Sequence, residues 1–228
     1  VVPLSSLDHT GSMYSGLRPD TVVLELPFRG LWRVENSPAR RVPSHGTTAF
    51  GSSHAIDFVK VDETGRSAPF TWRAAVAPEP PEQFLGFGVP ILSPVPGRVV
   101  AIHDHEPDHA GRRSQLLLLP YMLGQAKRAR NGAAGLAGNH VVVAAGDRGP
   151  FVLVAHLKRD SIQVSVGDEI STLDAIGQCG NSGNSTEPHV HVQVSDSMNW
   201  ASSQGVPLAF RRADGTVWLP NESEIVRA

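Results

Sequence analysis

Cysteine is nearly missing from this chain: Cys179 stands alone, which excludes an intrachain disulfide framework and any cage of cysteines around a metal. Lysine is scarce too, occurring only at Lys60, Lys127 and Lys158, and the formal net charge of -2 argues against a dedicated nucleic-acid binder. Long apolar runs are absent. The greasiest stretch, Gln115-Leu-Leu-Leu-Leu-Pro-Tyr-Met-Leu123, is too short to span a membrane and holds a proline. The N-terminal Val-Val-Pro-Leu-Ser-Ser-Leu-Asp-His has no basic region followed by an apolar one, so no signal peptide is read there. Charged residues make up only 18% against 40% hydrophobic, which favours a packed core over disorder or a coiled coil.

Glycine, proline and histidine are plentiful. The 22 glycines and 18 prolines are spread along the chain, as expected for short strands joined by turns. The sequence predicts a mainly β fold: an antiparallel sheet or sandwich-like domain over residues 21–200, after an arm at 1–20 and before a C-terminal extension at 201–228. Strands are expected at 22–26, 30–34, 55–59, 97–102, 140–144, 151–157, 161–164, 170–177 and 189–194. Residues 103–137 read as an insertion with a short helix near 119–131, because proline suits the first helical position and Asn131-Gly132 the exit.

The ten histidines carry the functional signal. In His189-Val-His191 two imidazoles share one face of a strand, while Val190, Val192 and Val194 turn to the core. The preceding Gly180-Asn-Ser-Gly-Asn-Ser-Thr-Glu-Pro188 lacks the lysine of a phosphate-binding loop and reads as a turn that shapes a cleft wall. Asp57 lies among apolar strand residues, where a carboxylate needs a partner or a cation. His54 and His45 are its nearby candidate partners. A regular strand turns His54 away from Asp57, which favours His45 on a loop that can fold back. His156 ends the apolar run from Phe151. The cluster His103-Asp-His-Glu-Pro-Asp-His109 reads as a solvated, charged turn, with a second metal site as the less favoured alternative; His9 and His140 are set aside with it.

Taken in order, Ser93-Pro-Val-Pro-Gly-Arg-Val99, Gly138-Asn-His-Val-Val-Val143, Ala155-His-Leu157, Val164-Ser-Val-Gly-Asp168, Ile176-Gly177 and Gly180 to His191 resemble the lysostaphin/LytM-type zinc endopeptidases. The resemblance covers about residues 43–195 without the insertion. It implies zinc held by His45, Asp57 and His191, with His189 as general base and His156 positioning the nucleophile or stabilising the oxyanion. It also implies a peptide or peptidoglycan substrate and a location outside the cell or in its envelope. Where that family has HxGxD, position 53 is serine, so the first ligand falls on His45, further upstream on a longer loop. This departure leaves a second expectation: a catalytically degenerate member that binds cell wall or regulates another hydrolase.

Overall fold

A computed structural model describes residues 17–70, 72, 77–112 and 132–228. The expected helix near 119–131, the apolar run at 115–123 and most of the N-terminal arm lie outside the described residues. In chain order the elements are β1 (Val22–Leu24), β2 (Leu31–Glu35), β3 (Ile56–Lys60), β4 (Pro90–Leu92), β5 (Gly97–His103), α1 (Gly132–Ala137), β6 (Asn139–Ala144), β7 (Phe151–Leu157), β8 (Glu169–Ile170), β9 (Ala175–Gln178), β10 (Val190–Ser195), β11 (Leu208–Arg211), β12 (Val217–Trp218) and β13 (Ile225–Arg227). Short 3-10 turns cover Ala49–His54 and Pro81–Gln83.

Eight strands form one antiparallel sheet in the order β13-β2-β3-β10-β7-β6-β5-β8. Strand alternation divides its two faces. One face carries Trp32, Val34, Ile56, Phe58, Val190, Val192, Val194, Val152, Val154, Val141 and Val143, all less than 2% exposed. These side chains share one core cluster with Leu24 and Phe210 of a three-stranded sheet and Ile91 and Ile176 of a two-stranded one, so the small sheets cover the large sheet as a sandwich. Burying each such side chain contributes roughly 1.5–3 kcal/mol. The other face carries Glu35, Asp57, His191, Gln193, Leu153, Ala155, His140 and Val142, aligned across five strands by the pairings Glu35–Asp57, Asp57–His191, His191–Ala155 and Ala155–His140.

Four features depart from the sequence expectations, the first being that the strand expected at 170–177 is split by a turn at 171–174 into β8, which pairs with β5, and β9, which pairs with β4. Residues 161–164 form no strand: Asp104 accepts the Ser161 and Ile162 backbone N–H groups, which diverts them from a ladder. The three-stranded sheet contains a parallel pair, β1 with β11. Residues after 200 are woven into the β structure, since β11 pairs with β1 and β13 pairs with β2. Among the described residues no helix is long and apolar enough to cross a membrane.

Candidate metal centre and cleft

The cleft lies over the second face of the large sheet, with a volume of about 580 Å³, within the ordinary range for ligand sites. His45, Asp57, His140, His156, His189 and His191 all line it. Asp57 lines it as the second residue of β3, directly opposite His191 of β10.

Asp57 is surrounded by nitrogen. His45 Nε2 lies 2.9 Å from Oδ2, His191 Nδ1 lies 2.8 Å from Oδ1, and Asn36 Nδ2 donates to Oδ2 at 2.7 Å. His189 Nε2 stands 3.8 Å from Oδ1. One potential ligand atom from each of His45, Asp57 and His191 lies within 4.8 Å of the others, and this is the one such group among the described residues. His54 takes no part: its Nδ1 contacts Ser53 Oγ at 3.0 Å, and its charged neighbours are Arg18 and Asp20. Burial pushes His54 below the ordinary imidazole value.

Each imidazole of the cleft has an outer partner that fixes its tautomer. Ser44 Oγ lies 3.0 Å from His45 Nδ1 and 3.4 Å from the Ser52 carbonyl; with the hydroxyl proton on that carbonyl, His45 Nδ1 is the donor to Ser44. His156 Nδ1 donates to the Ser182 carbonyl at 2.9 Å, and His189 Nδ1 to the Glu187 carbonyl at 2.8 Å. His191 Nε2 donates to Gln193 Oε1 at 3.1 Å, while Gln193 Nε2 donates to the Phe50 carbonyl at 2.9 Å. The unprotonated nitrogens therefore turn inward: Nε2 of His45, His156 and His189, and Nδ1 of His191. Two of them face the Asp57 carboxylate across less than 3 Å, acceptor against acceptor. Such an arrangement demands a proton or a cation between the partners. Two neutral imidazoles and a carboxylate, with no sulfur, match the donor set of a zinc site that keeps an open position. The residues present fit the metal.

Electrostatics agree with this polarity. Burial, the largest influence, would raise the Asp57 carboxyl, but charge on His45 and His189 and a proton shared with the His191 and His45 rings hold it well below the usual carboxylate range, so a proton there plays the part that a cation would. Burial pushes His156 well below the ordinary imidazole value, and neighbouring His189 and His191 push it further. Burial likewise raises Glu187, against the hydrogen bond from Ser67 Oγ at 2.6 Å.

His156 reaches the cleft by an irregularity. Alternation along β7 puts Leu153 and Ala155 on the cleft face and would turn His156 to the core. It is the extra residue of a bulge: Leu157 pairs with Asn139 and Ala155 with His140, while His156 takes φ +62°. Its ring lies 4.6 Å from that of His189 and 5.7 Å from that of His191. A left-handed β7 residue other than glycine costs about 1–3 kcal/mol, and such strain collects at functional sites.

Sequence reasoning missed Asn36, Ser44, Ser182 and Gln193, and it set aside His140, which lines the cleft. Gln193 had a signal, because it extends the polar 189, 191, 193 alternation opposite three valines. Asn36 had none beyond the tolerance of asparagine for its φ of +52°.

No curated protein matches the chain. Among solved structures it is similar to the catalytic domain of a prophage-encoded M23 protein, EnpA, from Enterococcus faecalis, at 19% identity over 68% of this chain and 75% of that one, with a TM-score of 0.38. It is similar to lysostaphin, from Staphylococcus simulans, at 18% identity over 66% and 39%, with a TM-score of 0.37. A zinc-containing peptidase from Vibrio cholerae gives 18% identity over 77% and 35%, with a TM-score of 0.36. The chain thus spans 75% of the first but only 39% and 35% of the other two. Residues 122–204 match the model of Peptidase family M23, the same family that the ordered sequence motifs resemble.

Proposed function

We propose that this chain is a zinc-dependent metalloendopeptidase that hydrolyses peptide bonds, with peptidoglycan cross-links or stem peptides as its substrate. The observation that carries the reading is the inward-facing set of acceptors, His45 Nε2, Asp57 Oδ1 and Oδ2, and His191 Nδ1, at separations under 3 Å between each imidazole and the carboxylate. These three residues are the proposed ligands. Zinc held there lowers the pKa of a water and polarises a carbonyl oxygen.

The remaining chemistry falls to the chain. His189, with Nδ1–H committed to the Glu187 carbonyl, offers Nε2 as the acceptor for a water proton. As the water oxygen adds to the amide carbon and the C–N bond breaks, the same nitrogen returns the proton to the leaving amine. His156 also presents an unprotonated Nε2, because Nδ1 serves Ser182. That tautomer suits it to orient the attacking water by accepting a hydrogen bond and leaves it no proton for an oxyanion. Asn36, donating to Oδ2 at 2.7 Å, helps keep the Asp57 carboxylate charged and fixed against the opposing effect of burial.

Purified protein should bind about one zinc ion, as a site of this type does, and should cleave muropeptides or oligoglycine until chelated. His189→Ala should keep the zinc and lose cleavage. Zinc-loaded protein that cuts neither substrate class, with wall binding retained, would favour the non-catalytic reading instead.

A further inference from the structure

β10 continues the polar row of the cleft face one step beyond the proposed ligands, to Gln193. This side chain is 3% exposed and belongs neither to the ligand set nor to the proton path. The Phe50 carbonyl can only accept, so the amide Nε2 must face it, and Oε1 is left for His191. An amide oxygen can only accept in turn, so His191 carries its proton on Nε2 and its lone pair on Nδ1, towards Asp57. The other end of this chain of bonds lies in the loop that bears His45. Phe50 and Gly51 both have positive φ, +58° and +75°, which aims the Phe50 carbonyl back at β10. Gly51 also lies so close to β10 and its following segment that an added Cβ would come within 3.0 Å of Ser195 Cβ and 3.1 Å of Ser203 Oγ.

We propose that Gln193 is a positioning residue with two separable roles: its oxygen fixes the His191 tautomer, and its amide nitrogen anchors the long His45 loop to the strand that carries His191. Both roles need an amide. A carboxylate would keep the first and lose the second, and an alkyl side chain would lose both. The inference rests on the reading of His45, Asp57 and His191 as metal ligands.

The test compares wild type, Gln193→Leu, Gln193→Glu and Asp57→Asn, each ¹⁵N-labelled and loaded with zinc. Three readouts are used: zinc affinity by competition with a chelator, the His191 Nε2–H resonance by NMR, and hydrogen exchange over residues 45–54. Gln193→Leu should weaken zinc binding about 10–100-fold, the usual effect of losing a partner behind a metal ligand. It should also lose the slowly exchanging Nε2–H resonance. Gln193→Glu should keep that resonance, lose less affinity, and exchange faster than wild type over 45–54, as the leucine variant does. If leucine prevents folding, the glutamate variant still decides: unchanged loop exchange overturns the anchoring role, and a lost resonance overturns the tautomer role. A folded Gln193→Leu protein equal to wild type in all three readouts overturns the proposal alone, provided Asp57→Asn has lost zinc. Zinc binding that Asp57→Asn leaves intact overturns the ligand reading itself.

Discussion

Residues 103–109 gather three histidines, two aspartates and a glutamate into one short stretch, whereas His45, Asp57 and His191 come from a loop and two strands far apart in sequence. Their hydrogen bonds point in opposite senses. In the dense stretch the carboxylates are occupied by backbone donors: Asp104 accepts Ser161 N and Ile162 N, and Asp108 accepts Arg159 N at 3.0 Å and Asn181 N at 2.6 Å. Its histidines serve the same purpose or face solvent: His109 Nε2 lies 3.0 Å from the Gly183 carbonyl, His103 pairs with Glu106 at 3.3 Å, and exposed His105 pairs with Asp160 at 2.9 Å. This stretch is a clamp on the loops at 158–162 and 180–183, the second of which leads towards His189. In the scattered set the partners of the Asp57 carboxylate among the described residues are side chains, the Asn36 amide and the inward-facing imidazoles. Local density of ligand-type residues therefore says little, and the direction of their lone pairs decides.

Substitutions at the two regions should separate them. Asp57→Ala has the largest expected effect: loss of zinc and of the several kcal/mol that the metal supplies, a fall in kcat/KM of about a thousandfold or more. His189→Ala should lower kcat by about 10²–10⁴-fold with zinc retained, as expected for a lost general base. Asp108→Ala should leave zinc affinity unchanged and cost about 1–3 kcal/mol of stability by denaturant unfolding, since two backbone donors lose a charged acceptor. A fall in zinc affinity on that change would make the clamp part of the site. His105→Ala, at an exposed residue paired with Asp160, should shift stability by less than about 0.5 kcal/mol.

Acid provides a further contrast. Burial, the foremost cause in both, holds His140 and His156 below the ordinary imidazole value, so both stay neutral in the fold. The unfolded chain takes up protons at about pH 6.5. Their contribution is therefore complete above about pH 6.5 and is lost as pH falls from there through the lower folded values. Thermal unfolding of zinc-free protein between pH 8 and pH 5 should show this decline, and His156→Gln should flatten it. Stability that rises on acidification would contradict the sign.

Much of this could be read from the residues. The valine alternation at 190, 192 and 194 placed β10 and its imidazole face, and the run from Phe151 placed β7. Of the two upstream histidines weighed from strand faces, His45 lies 2.9 Å from the Asp57 carboxylate while His54 contacts Ser53. What stayed hidden depends on contacts distant in sequence. The bulge that swings His156 into the cleft arises where β7 meets β6, and no local pattern announces it. The C-terminal strands have weak periodicity because each is only two to four residues long and borrows its register from β1, β2 or β11. The outer hydrogen bonds of the cleft histidines come from the Ser44 and Gln193 side chains and from the backbone carbonyls of Ser182 and Glu187, groups whose function only their neighbours reveal.

The identity of the histidines that hold the metal is the central claim. Zinc titration of wild type, His45→Ala, His54→Ala and the triple variant His103→Ala/His105→Ala/His109→Ala tests it directly. Wild type, His54→Ala and the triple variant should each bind one ion with similar affinity, and His45→Ala should lose it. Retention by His45→Ala together with loss in either of the other variants would contradict the account.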